Sequence, residues 1–594
     1  MQSPIDLMIQ VLNCQKGERI PFCPAIYEHK GFLIGKSPSE ICRDPELLYQ
    51  GLKKEWEIYR PDFLTVGVDV YNVEAEAVGC DVIYFDNSDD VPGVEKPIIA
   101  NVDELAALSV PDPKTDGRMP IYLEAAARLH QELGDQVIVR GAISGPLSMA
   151  SELVGAENFI VLTLKDPPFV RALLKFTSQC AAAFGKAFVE IGVDPIIFDS
   201  RAMPPLCSPS VFKDMVAPAY AAHLTPVLKA AGAKHIPLII GGDTTAIVDD
   251  LIATGCTQLL CDFEGDRDTF MAASLEHGIP FRVNVDPRLL HLGPVEKIKD
   301  FTMTILNQCW GHPGFILGTG VAAYDCPIEH LMAVKQCLDA DYKNYVPKTS
   351  APIPSDTAGA IVADAAPSYD ANLDPLLRAI ADYIEEGEAE PVPALVQQAL
   401  EAGIDAVEIV NTAMIPALGV IGDQFSRGEI FVPEMLISAR AMKAGMAVVR
   451  PVLVQTGAKP IGEVLIGTVK GDIHDIGKNL VGMMLEGAGF AVTDLGVNVA
   501  IETFVEEAQR TGVRIIGMSA LLTTTMNNMK LVVQAFEAAG LRDQVQVLVG
   551  GAPVTQEFCD QVGADFYGET AGETVHVARQ ALARLRERGV LEAA

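Results

Sequence analysis

Late in the chain the stretch Gly471-Asp472-Ile473-His474-Asp475-Ile476-Gly477-Lys478-Asn479 follows an apolar run at 464–469 and precedes a helix-like one at 480–485. An apolar run of that length reads as a buried strand. A glycine-bearing loop therefore leaves a strand end with a histidine in it, the place where open α/β sheets bind ligands. The imidazole of His474 can offer a neutral nitrogen to a metal, and Asp472 can hold its other N–H and fix the tautomer. Taken alone, a loop histidine is more often surface decoration. Two later strand ends change that balance. One carries Ser519, Leu521, Thr523 and Thr525, and the other the pair Gly550-Gly551, where backbone can approach a bulky ligand closely.

A second set of polar residues lies in the first 345 positions, again where apolar runs end: Asp86, Ser144, Asp199, Asp243, Asp262 and Glu264. Any one of these can be a helix N-cap, which favours Asp and Ser. As a ring they mark the mouth of a pocket. The runs that position them fall at 63–66, 82–85, 137–141, 195–199, 237–241, 258–262, 281–285 and 315–318. They alternate with helical stretches such as 169–191 and 295–309. Eight βα-like units in sequence predict a (β/α)8 barrel, whose strand C-termini carry the active site.

Residues 346–371, rich in Pro, Ala, Ser and Asp, read as a flexible linker. Residues 372–456 have helical periodicity with turns near 387–393 and 403–404, which predicts a four-helix bundle. From 457 to 594 strand and helix alternate again, as in a doubly wound, Rossmann-like domain. The predicted class is thus α/β, with a barrel, a helical cap and a smaller parallel sheet.

Composition narrows the function. The net charge of −33 argues against a nucleic-acid partner. No apolar run approaches the roughly 20 residues that span a bilayer, and the N-terminus lacks a signal-peptide shape. The twelve cysteines show no CxxC or framework spacing and read as free thiols of a cytoplasmic protein.

The order of motifs in residues 4–345 resembles the uroporphyrinogen decarboxylase-like superfamily. The matching stretches are Val66-Gly67-Val68-Asp69-Val70-Tyr71-Asn72-Val73-Glu74-Ala75-Glu76, Ser144-Gly145-Pro146, Phe198-Asp199-Ser200, Val285-Asp286-Pro287 and Gly318-Thr319-Gly320. That superfamily contains decarboxylases and methyltransferases. The decarboxylases grip carboxylates with an N-terminal arginine-rich segment, whereas residues 20–29 here contain no arginine, which disfavours decarboxylation. The thiol-methylating members carry a zinc site of the His-x-Cys…Cys type. The corresponding stretches, Leu238-Ile239-Ile240-Gly241-Gly242-Asp243 and Gly318-Thr319-Gly320, contain no His and no Cys, so zinc of that type is not expected. A different metal site drawn from Asp243, Asp262, Glu264 and His235 stays open.

Residues 373–590 resemble the cobalamin-binding domain of methionine synthase and of methyltransferase corrinoid proteins, through Asp472-x-His474-x-x-Gly477, Ser519-x-Leu521 and Gly550-Gly551, with the helical cap including Gly428-Glu429-Ile430-Phe431. The resemblance implies cobalamin as cofactor, with His474 as its lower cobalt ligand. It also implies a site formed by Asp472, Asp475, Gly477, Ser519, Leu521, Thr523, Thr525, Gly550 and Gly551. Together the two resemblances imply a fused corrinoid-dependent methyltransferase. It would take a methyl group from a small donor (a methoxy compound, a methyl halide or a methylamine) to protein-bound cob(I)alamin. Onward transfer to a carrier such as tetrahydrofolate, a tetrahydrofolate-linked methyltransferase and a reductive activase are implied partners. Asp86, Asp199, Glu264 and His29 are the expected catalytic groups of the barrel. The alternatives are transfer in the opposite direction, to a thiol or other acceptor, and a corrinoid carrier or sensor whose barrel only binds a ligand.

Overall fold

A computed structural model describes residues 3–85, 90–339, 373–456, 460–472, 476–521, 525–551 and 553–591. The chain forms two compact units, Met1–Ser355 and Asp356–Ala594. The expected linker at 346–371 lies outside the described residues.

In the first unit eight parallel strands follow in order: β1 (Phe22–Ala25), β2 (Phe63–Val66), β3 (Ile138–Ser144), β4 (Asp194–Phe198), β5 (Leu238–Ile239), β6 (Leu259–Cys261), β7 (Phe281–Val285) and β8 (Phe315–Val321). They make two four-stranded sheets, β2-β3-β4-β5 and β1-β8-β7-β6. One seam is closed by a parallel bridge between Pro237 and Gln258. At the other, the Asp62 N–H donates to the Phe22 carbonyl at 2.9 Å. Because side chains alternate along a strand, Ala25, Ala142, Ile196, Phe198, Ile239 and Leu260 meet inside the barrel with Tyr27. Leu64, Val139, Ile143, Ile197 and Val283 face outward into the main core. The helix Pro4–Leu12 packs Leu7, Met8, Val11 and Leu12 against Phe63 and Ile316. A ligand therefore meets the barrel at the strand C-termini.

The eight-strand count matches the sequence expectation, but one member differs. Residues 82–83 form a short antiparallel hairpin with 93–94 and stay outside the barrel. Its place is taken by β1, whose Pro24 lacks an N–H and disguises it as a non-strand. The register of β1 on β8 slips between Cys23 and Ala25, and so accommodates the proline.

The outer helices dock closely. Helix Pro167–Glu190, capped by Asp166, buries Val170, Leu173, Leu174, Phe184 and Phe188 on one face. A Cβ at Gly141 of β3 would lie 2.3 Å from the Phe188 ring, so only glycine allows the contact.

The second unit begins with four helices: Pro375–Glu385, Val392–Glu401, a third that runs from Ala406 through a π-helical turn to Ser426, and Val432–Thr456. Asp374 and Asp405 cap the first and third, and Gly387 and Gly403 take the left-handed conformation between helices. Against the expectation that no run approaches a bilayer span, the 20-residue segment Ala406–Phe425 is long and apolar enough to cross a membrane by length and composition, and half of it is buried within the protein.

A five-stranded parallel sheet follows: β9 (Glu463–Thr468), β10 (Ala491–Asp494), β11 (Ile515–Ser519), β12 (Gln546–Gly550) and β13 (Phe566–Gly568). Its order is β10-β9-β11-β12-β13, which puts the topological switch point between β9 and β11. One face packs under helices Ile501–Thr511 and Asn527–Ala538. The other packs under Ile476–Gly487 and Ala571–Glu587. Strand β10, at the edge and mostly exposed, has no apolar run and is invisible to periodicity.

One buried acid in the barrel gives a pH signature. Glu74 accepts from the Ser144 N–H at 2.6 Å and from its hydroxyl at 3.1 Å. Burial nonetheless pushes its pKa up from 4.5 to about 7. The folded state thus keeps a proton that the unfolded state has released, so this group lowers stability as pH rises from about 4.5 to about 7. Unfolding of Glu74→Gln by denaturant at pH 5, 6 and 7 is expected to show a flatter pH dependence than the wild type; an unchanged slope excludes Glu74 as its source.

Candidate functional site

The strand ends of the second unit converge at the switch point. Thr468 of β9 and Gly550 of β12 flank Ser519 of β11. Beyond β9 the Val469 N–H donates to the Ser519 carbonyl at 3.0 Å, and the chain turns through Gly471, φ +81°. Asp472 is fully buried. Its Oδ2 accepts from the Leu521 N–H at 2.7 Å and from the Thr525 hydroxyl at 2.7 Å. A buried carboxylate requires such donors, and these come from the loop after β11. The two loops that flank the switch point are thereby tied together through one side chain. His474, Asp475 and Thr523 lie outside the described residues.

The remaining expected cofactor residues border this knot. Gly550 sits where a Cβ would lie 3.0 Å from the Gly568 carbonyl oxygen. Gly551, at φ +121°, sits where a Cβ would lie 1.9 Å from the Ala520 oxygen, so no other residue fits there. Ser519 is half-buried, while Leu521 presents 42% of its surface, unusual for a leucine at a strand end. Gly477, in the first turn of helix Ile476–Gly487, is exposed, and among the described residues a Cβ there would meet nothing within 4 Å. An uncovered apolar side chain, an open glycine at a helix start and a hydrogen-bonded acid at the strand ends leave room for a bulky ligand there.

Periodicity missed the residues that steady this loop. The Asn528 side chain donates to the Lys470 carbonyl at 2.8 Å. Asn498, a non-glycine residue at φ +51°, accepts from the Gly471 N–H and donates its own N–H to the Asp472 carbonyl, each at 2.8 Å. Lys478, almost fully buried, pairs with Asp494. The detectable signal was Gly496-Val497-Asn498, since asparagine is the non-glycine residue most at ease with positive φ.

In the barrel the expected catalytic set does not come together. Asp86 lies outside the described residues. His29 is completely buried. One ring nitrogen is 2.7 Å from the Tyr324 carbonyl and the other 2.8 Å from the Tyr59 hydroxyl, and burial lowers its pKa. Asp199 is completely buried too. It accepts from the Ser148 N–H at 2.6 Å, the Leu147 N–H at 3.3 Å and the Tyr220 hydroxyl at 2.8 Å, which makes it a cap for helix Pro146–Val154. In this structure both side chains are enclosed and bonded to the framework. Glu264 is exposed. Its pKa is raised by partial burial and then by Asp262, Asp286 and Asp243, against Arg288. Arg288 forks onto Asp286 at 2.9–3.1 Å and lies 4.9 Å from the Phe263 ring.

Of the residues offered for an alternative metal site, His235 stands apart. His235 stands before β5, at the opposite end of the strands from Asp243, where burial lowers its pKa to about 4. Asp262 is engaged by the Gly242 N–H and the Asn284 amide, both at 2.9 Å. Among the described residues no three His, Cys, Asp or Glu side chains are grouped to hold a metal ion.

The glycines of the second unit separate folding from ligand fit. Gly551→Ala is expected to destabilise that unit by more than about 2 kcal/mol through clash and strain. Gly477→Leu is expected to leave the thermal midpoint of the unliganded protein within about 2 °C, a surface-substitution effect, yet to weaken corrinoid binding about tenfold or more. Equal corrinoid affinity in Gly477→Leu and wild type, measured by absorbance titration, excludes the corrin from that space.

Residues 3–340 match the family described as uroporphyrinogen decarboxylase (URO-D), more than half of the chain. Residues 376–450 and 462–576 each match a B12 binding domain. A trimethylamine corrinoid protein of Methanosarcina acetivorans is 46% identical over 206 residues, which is 34% of this chain and 94% of that protein. A corrinoid protein of Desulfitobacterium hafniense is 41% identical over 36% of this chain and 98% of its own length. Among solved structures, a methyltransferase from Methanosarcina mazei shares the fold, with a TM-score of 0.50 at 22% identity, covering 57% of this chain and 99% of that one. The chain thus belongs to the uroporphyrinogen decarboxylase family and joins that barrel to a corrinoid-binding module.

Proposed function

We propose that the enzyme takes a methyl group from a small cationic methylated donor, of the methylamine class, and delivers it to the cobalt of its own corrinoid. The observation that carries this reading is the carboxylate-rich mouth of the barrel. Glu264 stands among Asp243, Asp262 and Asp286 at the ends of β5, β6 and β7, and Arg288 beside it is already forked onto Asp286. Such a mouth attracts an ammonium and repels an anion. The relatives named for trimethylamine corrinoid proteins agree with that class.

When bound, reduced corrinoid supplies a cobalt nucleophile that accepts the methyl group. The residues of the chain do the rest. Glu264 holds the donor nitrogen, with Phe263 beside it as an apolar wall. A donor that already carries positive charge leaves behind a neutral amine, so no proton has to be delivered. Tyr71, whose hydroxyl is 2.5 Å from that of Ser200, borders the other side. In the second unit His474 would hold the cobalt, and Asp472, fixed by Thr525 and Leu521, would govern the proton on that imidazole. Gly550, Gly551, Ser519 and Thr523 line the slot for the cofactor's nucleotide tail. Asp475 stands beside the histidine in the same loop. The methyl group then passes to a carrier such as tetrahydrofolate on a partner protein in the cytoplasm, and a reductive activase restores cofactor lost to oxidation.

The test uses the full chain loaded with cobalamin and reduced chemically. Methylamines and quaternary ammonium compounds, methoxyarenes, methyl halides and methyl thioethers are added one at a time. The absorbance of the reduced cofactor is expected to disappear with an ammonium-type donor, and Glu264→Gln is expected to raise KM about tenfold or more with a smaller effect on kcat, as for loss of ground-state binding. A response confined to neutral donors refutes the donor class. No response to any donor favours a carrier or sensor role, and methylation of an added thiol by the methyl-loaded protein favours the opposite direction.

A further inference from the structure

The floor of the barrel mouth is aromatic as well as apolar. Tyr27, two residues past β1, packs onto Ala142, Ile196, Phe198 and Ile239 inside the barrel, and Tyr71, past β2, packs against the same cluster. The Tyr27 ring is held from two sides. Phe198 meets it edge-on, with ring centroids 5.3 Å apart and planes at 87°. The buried Lys30 ammonium lies 5.6 Å from its centroid and is itself fixed, donating to the Gly67 carbonyl at 2.6 Å and to the Thr65 carbonyl at 3.2 Å. The hydroxyls of the two tyrosines differ. That of Tyr71 lies 2.5 Å from the Ser200 hydroxyl, so each has a partner. That of Tyr27 makes no hydrogen bond among the described residues, although the residue is only 7% exposed. Burial pushes its pKa up, so the phenol stays neutral and its oxygen keeps lone pairs to offer.

We propose that Tyr27 determines specificity among ammonium donors: its hydroxyl oxygen accepts a hydrogen bond from an N–H on the donor nitrogen, and so selects protonated methylamines over quaternary ammonium compounds. The inference rests on the donor class proposed above. The stereochemistry follows from the direction of transfer. An in-line displacement requires the leaving nitrogen directly behind the methyl group. A methyl group that leaves through the mouth therefore has its nitrogen below it, with the remaining substituents of that nitrogen turned toward the floor. An N–H among them meets the Tyr27 oxygen. A fourth alkyl group instead buries that oxygen without a partner, and a buried polar group left unpaired costs binding and rate. As the C–N bond breaks, its electron pair stays on nitrogen, and the product is a neutral amine that keeps its N–H on Tyr27. The ring needs no rearrangement for this, because Phe198 and Lys30 already fix it.

In the experiment the full chain, loaded with cobalamin and chemically reduced, receives trimethylammonium or tetramethylammonium at neutral pH. The value of kcat/KM for each is read from the loss of the reduced cofactor's absorbance. Wild type is expected to favour trimethylammonium by about tenfold or more, and this ratio tests the inference without any variant. Tyr27→Phe keeps the ring between Phe198 and Lys30 and removes only the hydroxyl, and its thermal unfolding is expected to match wild type. It is expected to lose about tenfold with trimethylammonium and to change by less than about threefold with tetramethylammonium, so that the preference disappears. An unchanged value for trimethylammonium in Tyr27→Phe overturns the proposal, and a gain for tetramethylammonium in the same variant then identifies the hydroxyl as a steric wall. A wild type that takes both donors equally well, or favours tetramethylammonium, overturns it too. A response confined to neutral donors, or to none, instead removes the donor class on which the inference rests.

Discussion

A carboxylate removed completely from water is costly unless donors meet it, and that constraint organises the second unit. Asp472 is buried to the last square ångström, and the loop after β11 bends so that the Leu521 N–H and the Thr525 hydroxyl both reach it. Because the donors belong to one loop and the acceptor to another, satisfying the acid fixes the distance between the two strand ends that bound the switch point. The tight approach of Gly551 to Ala520, the hold of Asn498 on the turn before Asp472 and the exposed side chain of Leu521 all sit around that tie.

The barrel uses the same device to a different end. Asp199 also lies at a strand end and is also buried, but its partners are the first free N–H groups of helix Pro146–Val154 and the Tyr220 hydroxyl. The two are alike at the level of sequence: an aspartate at or shortly after the end of an apolar run. The partners decide between a group that stiffens the scaffold and one that sits under a functional loop, and partners come from elements far away. Thr525 is 53 residues from Asp472, and Tyr220 is 21 from Asp199.

Legibility in the sequence follows the range of the interaction. Alternation of apolar runs with helical periods made the barrel, the four helices and the parallel sheet readable, because burial on both faces leaves a continuous apolar stretch. It failed at β1, where Pro24 interrupts the run and a register slip absorbs it, and at β10, an edge strand with polar faces. The cofactor motif was legible as a set of residue types spread over three strand ends. Its supports, Asn498, Asn528 and the Lys478–Asp494 pair, were not, since each is an ordinary polar residue whose role appears only when loops are brought together. In the barrel, His29 is of a residue type that can move protons, but its surroundings are not legible in the sequence. Contacts with Tyr59 and Tyr324 on both ring nitrogens seal it away.

These placements also bear on what the barrel can ask of a donor. An ether or phenoxide leaving group needs a proton or a Lewis acid as the methyl group departs. The side chains nearest to that task by type, His29 and Asp199, are both enclosed and fully bonded. What the mouth does present is charge: Glu264 in the open, with three further carboxylates around it and Arg288 drawn onto Asp286. Under the proposed reading these facts belong together. A donor whose nitrogen is already cationic brings its own leaving-group activation, so the barrel needs a negative, partly apolar rim that orients the methyl group. On that reading the difficult chemistry falls to the corrinoid, and the tight approach of Gly551 to Ala520 and the donors on Asp472 lie at the strand ends where the cofactor would bind.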